Sequence, residues 1–156
     1  MDKAMTPIRL VLVEDHQDTL EAFSLILREK YAVFGYASAG EALEAIATAK
    51  PDVLMLDIGM HPVDGVQCLE MIRATPGCCD IPAVAVTGFA RDVERQRFLD
   101  GGFQAVIVKP IDHRELMAVI DRLANSPAPG SHLDDLAATT VSVAGGSPTT
   151  ERQDPA

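Results

Sequence analysis

The chain has 156 residues, 47% of them hydrophobic, and a formal charge of −10. That length suits one domain with a modest core and a tail, and the acidity argues against direct nucleic-acid binding. No window is long and apolar enough for a transmembrane helix, and residues 1–7 are too short and polar for a signal peptide, so a cytoplasmic protein without membrane insertion is expected.

After an N-terminal extension of residues 1–7, the first apolar run is Ile8 to Val13, which ends at Glu14-Asp15. Gln17 to Glu29 has a helical period, with Leu20, Phe23, Ile26 and Leu27 on one stripe. Tyr31 to Tyr36 reads as a short strand rich in aromatic and β-branched residues. Ser38 and Glu41 can cap a second helix with Ala42, Leu43 and Ile46 on its apolar face, and Lys50-Pro51-Asp52 breaks it. Val53 to Leu56 is apolar without alternation, as in a strand buried on both faces, and stops at the carboxylate Asp57. Gly59, Pro62 and Asp64-Gly65 then mark a loop.

Val66 to Ala74 reads as a third helix, ended by Thr75-Pro76-Gly77. Ile81 to Val86 is a fourth strand, stopping at Thr87-Gly88. Arg91 to Asp100 is a charged helix with Gly101-Gly102 in the C-cap position. Ala105 to Val108 is the fifth strand and stops at Lys109-Pro110. Asp112 and Glu115 form a capping-box pattern for a last helix, which faces inward with Leu116, Met117, Val119, Ile120 and Leu123. Met55, Met60, Met71 and Met117 are expected to pack, and Cys68, Cys78 and Cys79 lack metal-ligand spacing and read as reduced thiols.

Five strands alternating with five helices predict right-handed crossovers and a doubly wound parallel α/β sheet, covered on both faces, over residues 8–124. From 125 to 156, Ser, Pro, Gly, Ala and Thr dominate and periodicity is lost, so a disordered tail with no output domain is expected.

In a parallel sheet the carboxyl ends of all strands share one edge, and that edge is where open α/β sheets bind ligands. Glu14-Asp15, Asp57, Thr87 and Lys109 should therefore converge there. Two like charges ~4 Å apart repel by about 4 kcal/mol at an effective dielectric of 20, so three carboxylates need compensation. Lys109 offsets one charge, and a hard divalent cation such as Mg²⁺, held by a few carboxylates and waters, would offset the rest. A carboxylate in such a site can act as the nucleophile on a phosphoryl group. The metal and Lys109 would stabilise the phosphoryl oxygens, and the Thr87 hydroxyl would hydrogen-bond the attached group.

The motifs Val13-Glu14-Asp15, Asp57-Ile58-Gly59-Met60, Asp64-Gly65, Val86-Thr87-Gly88 and Val108-Lys109-Pro110 resemble those of the receiver domain of two-component response regulators. The resemblance runs from Ile8 to about Ala124 and implies the flavodoxin-like strand order 2-1-3-4-5. It also implies that Asp57 accepts phosphoryl from a sensor histidine kinase or histidine phosphotransfer protein. Mg²⁺ would be held by Asp15, Asp57 and the Gly59 carbonyl, with Glu14 acting mainly through water, and Thr87 and Lys109 would respond to the phosphoryl group. Such a protein is expected to act on a downstream target or to relay the group, and to dephosphorylate itself without being an enzyme in any other sense.

Three positions depart from the family pattern: Glu14, where Glu or Asp is met; His61, where Pro is usual and here comes one residue later; and Val106, where an aromatic that swings during activation is usual. Val106 is therefore expected to be passive packing, with the loop Gly88-Phe89-Ala90-Arg91 as the mobile element. His16 and His61 are expected to be solvated loop residues, and the Arg91–Arg97 charges either a docking face or a solvated surface. A pseudo-receiver that binds protein without phosphorylation is the alternative function, but it would be marked by loss of Asp57, Lys109 or the acidic pair. A phosphohydrolase of the haloacid-dehalogenase type would need a general acid two residues after Asp57, where Gly59 stands.

Overall fold

A computed structural model describes residues 6–88 and 91–125. The expected tail after Asn125, residues 1–5 of the N-terminal extension, and Phe89 and Ala90 of the expected mobile loop lie outside the described residues.

The elements alternate as expected: β1 (Arg9–Val13), α1 (Gln17–Leu27), β2 (Ala32–Tyr36), α2 (Ala39–Ala49), β3 (Val53–Asp57), α3 (Gly65–Arg73), β4 (Ala83–Thr87), α4 (Asp92–Asp100), β5 (Ala105–Val108) and α5 (His113–Ala124). All strand pairs are parallel and the sheet order is β2-β1-β3-β4-β5. β3 is thus the central strand, and every residue of it is buried. That burial explains the unbroken apolar run: both sheet faces are covered, so neither side of the pleat needs polar residues. One face packs Ile46, Leu69, Ile72 and Phe98 against Val11, Leu54 and Leu56. The other packs Leu20, Leu27, Leu116, Ile120 and Leu123 against Leu10, Leu12 and Met55.

Several ends differ from the sequence reading. β4 begins at Ala83, directly after Pro82, which has no N–H to give a ladder, and the Ala83 N–H is taken by the Gln104 side chain, at 2.8 Å from Oε1. α3 begins at Gly65, earlier than expected, because Asp64 and Gln67 form a capping box. At the end of α4, Gly101 is the right-handed cap and Gly102 supplies the positive φ of 110°. Met71, expected to pack, is 43% exposed, because the nine residues of α3 bury a single stripe of Gly65, Cys68, Leu69 and Ile72. The peptide bonds His61-Pro62 and Lys109-Pro110 are cis.

The edge of the sheet opposite the strand ends is held by Arg73. Its Nη1 donates to the carbonyls of Cys79 and Ile81, both at 2.9 Å, and its Nη2 to the Gly102 carbonyl at 2.9 Å and Gln104 Oε1 at 3.4 Å. One guanidinium thereby joins the end of α3, the entry to β4 and the entry to β5. Burial lowers its affinity for the proton from the ordinary arginine value, with partial relief from Asp80. Arg73→Ala is expected to cost about 2–4 kcal/mol, since charged hydrogen bonds are lost and carbonyls lose their donors. Arg73→Lys should recover only part of this, because an ammonium lacks the planar fork. Urea midpoints of the two variants check both statements, and equal midpoints for Arg73→Ala and the native chain would contradict them.

Candidate phosphoacceptor site

The strand ends carry the site. Asp57 is the last residue of β3, paired in register with Val86 of β4, so Thr87 lies one residue beyond it on the neighbouring strand. Glu14 follows β1 directly, its N–H donating to the Tyr36 carbonyl at 3.0 Å. Lys109 follows β5, with its N–H donating to the Thr87 carbonyl at 2.8 Å. Parallel pairing thus brings residues from four strands to one place.

Carboxylate oxygens of Glu14, Asp15 and Asp57 all lie within 4.8 Å of one another. Lys109 Nζ is 3.5 Å from Asp57 Oδ1 and 3.9 Å from Glu14 Oε1. Glu14, Asp57 and Thr87 are buried, with 2%, 7% and 2% of their surfaces exposed, whereas Asp15 and Gly59 are open to solvent. Burial, the largest cause, pushes the Glu14 carboxyl up to about 7, aided by the charge of Asp57 and a hydrogen bond with it. The His16 N–H and Lys109 oppose the rise. One ammonium faces three carboxylates here, so the site is short of positive charge.

Mg²⁺ fits that shortage. Ligands of one Mg²⁺ stand at most ~4.2 Å apart, twice a bond of about 2.1 Å, and the three oxygens come close to that spacing as they stand. All are hard oxygen donors, and the exposed Asp15 leaves water access on one side.

Backbone donors orient the carboxylates. The Gly59 N–H donates to Asp57 Oδ1 at 3.3 Å, the His16 N–H to Glu14 Oε2 at 3.1 Å and the His61 N–H to Asp15 Oδ2 at 3.2 Å. The last of these depends on the departure at position 61, because Pro there would have no N–H to give. The His16 ring is also more than a solvated side chain: it is the N-cap of α1, with Nδ1 accepting from the Thr19 N–H at 3.4 Å and 3.0 Å from Thr19 Oγ1. Gly65 adds a contact that the sequence did not reveal. A Cβ there would come within 2.7 Å of the Asp57 carbonyl oxygen and 2.9 Å of Ile58 Cα, so only glycine lets the start of α3 close against the end of β3.

The family model described as response regulator receiver domain matches residues 10–121. The chain belongs to the response regulator receiver family. Among relatives of this receiver, the polar-differentiation response regulator DivK of Brucella anthropi is 30% identical over 106 residues, covering 67% of this chain and 86% of DivK. Response regulator MprA of Mycolicibacterium vanbaalenii is 30% identical over 141 residues, covering 87% of this chain and 58% of MprA. The receiver domain of the sensor histidine kinase PA1611 from Pseudomonas aeruginosa, solved with a magnesium ion coordinated in its active site cleft, superposes with a TM-score of 0.69. That match is 24% identical and covers 78% of this chain and 99% of the other.

The receiver fold thus unites Glu14, Asp15, Asp57 and Lys109 at one sheet edge and places Thr87 beside them. Of Gly59, it is the amide that engages Asp57. Val106 is fully buried on β5, paired with Ala85 and clustered with Phe98. No helix among the described residues is long and apolar enough to cross a membrane.

Proposed function

We propose that this receiver accepts a phosphoryl group on Asp57 from the phosphohistidine of a sensor kinase or histidine phosphotransfer protein, and that the modified state changes which target it binds or passes the group onward. The observation that supports this most is the convergence of three carboxylate oxygens within 4.8 Å, with the Lys109 ammonium 3.5 Å from Asp57. A carboxylate oxygen of Asp57 attacks phosphorus, and the phosphorus–nitrogen bond of the donor breaks, leaving its electron pair on the imidazole nitrogen. Lys109 stabilises the charge on the phosphoryl oxygens, and the Thr87 hydroxyl hydrogen-bonds the attached group. The Gly59 N–H holds Asp57 Oδ1, and the His16 and His61 amides hold Glu14 and Asp15. Mg²⁺, held by Asp15, Asp57 and the Gly59 carbonyl, with Glu14 acting mainly through water, would supply the positive charge that the cluster lacks.

Incubation with acetyl phosphate and Mg²⁺, followed by borohydride reduction and peptide mapping, should find homoserine at position 57. Homoserine elsewhere, or none, overturns the assignment. Asp15→Asn should weaken Mg²⁺ binding at least ~10-fold, the scale on which even outer-sphere partners of a metal act. Its fold should be intact or more stable, since repulsion falls. Unchanged Mg²⁺ affinity would remove Asp15 from the ligand set.

A further inference from the structure

β2 is one of the two edge strands of the sheet. Its sequence, Ala32-Val33-Phe34-Gly35-Tyr36, contains neither charge nor Pro, the devices that usually protect a free edge. In a parallel ladder the N–H and C=O of one residue point to the same side. The Ala32 N–H donates to the Ile8 carbonyl and the Tyr36 carbonyl accepts from the Glu14 N–H, so residues 32, 34 and 36 face β1. The N–H and C=O groups of Val33 and Gly35 therefore face outward. Beside them α1 presents Glu21, Ser24 and Leu25, and its C-cap Arg28, around a groove of about 400 Å³. Leu25 is 66% exposed. Gly35 keeps the groove open: a Cβ there would lie 3.0 Å from Leu20 Cδ1 and 3.2 Å from Ser24 Oγ.

We propose that this edge pairs antiparallel with the same edge of a second copy of the chain, across a twofold axis at Phe34. The inference does not depend on the chemistry of Asp57. In that register Val33 stands opposite Gly35 of the second copy, and the reverse holds by symmetry. Each such pair exchanges two N–H···O=C bonds, which satisfies all four outward groups of both strands. The two Phe34 residues meet as a non-hydrogen-bonded pair, the closer kind of cross-strand neighbour. α1 packs over β1 and β2, so the α1 helices of the two copies would lie about two strand spacings apart, ~10 Å, which is the distance of directly packed helices. Gly35 lies against Leu20 and Ser24, which puts the twofold near the level of Ser24. Glu21 of one copy then meets Arg28 of the other, twice, with Leu25 covered between them. An extended segment from another protein would satisfy the strand edge but would leave this self-complementary helix stripe open, so the second copy is the better occupant.

The full-length protein should show a reversible monomer–dimer equilibrium by sedimentation between micromolar and millimolar concentration. Hydrogen exchange of the Val33 and Gly35 amides should slow as the dimer fills. Arg28→Glu should weaken association at least ~10-fold, because two like-charge contacts replace two attractive ones. The double variant Glu21→Arg, Arg28→Glu should restore it, with thermal melts showing that both variants fold. A monomer at every concentration overturns the proposal. So does a dimer that leaves the Val33 and Gly35 amides unprotected, or one indifferent to Arg28→Glu. Protection that follows an added target protein and not the chain's own concentration assigns the edge to that target, and equally overturns it.

Discussion

Asp57→Asn is expected to fold normally and to take up no phosphoryl group from acetyl phosphate or from a phosphorylated kinase. The neutral amide keeps the shape of the side chain, so the packing of β3 is untouched, yet it offers no anionic oxygen to attack phosphorus. It also removes one negative charge from beside Glu14 and Asp15. The variant should therefore melt at the same or a higher temperature than the native chain when metal is absent, because less like charge is confined at the sheet edge. The paired outcome matters. Loss of labelling with a lower melting temperature would mean a damaged fold, whereas loss of labelling at equal or greater stability isolates the nucleophile. Labelling at the native level would sink the assignment of Asp57 outright.

In the absence of divalent metal, the native chain should lose stability as pH rises through the weakly acidic range. Glu14 has its carboxyl raised from 4.5 to about 7, chiefly by burial. The folded state thus holds a proton that the unfolded chain has already released. Stability from this group is fully present below about 4.5, falls between about 4.5 and about 7, and is flat above. Linkage allows at most ~1.4 kcal/mol of loss per pH unit across that window, and the proton shared with Asp57 spreads the fall over both carboxyls. Added Mg²⁺, which favours the ionised carboxylates, should recover the loss at pH 8. Glu14→Gln should flatten the profile and, in chelator at pH 8, exceed the native chain in stability. Denaturant unfolding across this range checks the sign, and a native profile that is flat or rising from pH 5 to 7 in chelator would contradict it.

The main outline of the site was legible because it depends on a simple rule. A buried parallel strand has few reasons to end in a charge or a hydroxyl, so Glu14, Asp57, Thr87 and Lys109 stand out against their apolar runs, and topology sends all strand ends to one edge. The orienting amides of Gly59, His16 and His61 left no such mark, because every residue but proline carries an N–H. Position 61 was visible only as a departure from a resemblance, and the hydrogen bond to Asp15 needed the loop's path. Gly65 reads as loop punctuation in the sequence, although Asp64 and Gln67 hold the capping-box spacing that starts α3. The partner of the first amide of β4 is Gln104, twenty-one positions away. Long-range side-chain reach of that kind has no local periodicity to betray it.

The guanidinium of Arg73 gives the two ends of the sheet opposite temperaments. It is held by backbone and amide oxygens, which neither titrate nor carry net charge for salt to screen. The carboxylate end is ruled by like charges that pH, salt and metal all adjust. Opening under alkaline, metal-free conditions should therefore begin at one end and stop before the other. Amides of the loop after Asp57 would exchange with solvent through small local openings. The Ala83 and Gln104 amides, each bonded to the other residue at 2.8 Å and 2.9 Å, would exchange only when the whole chain unfolds. Such a gradient would let the carboxylate end answer to pH, salt and metal while the core register set at the opposite end stays in place.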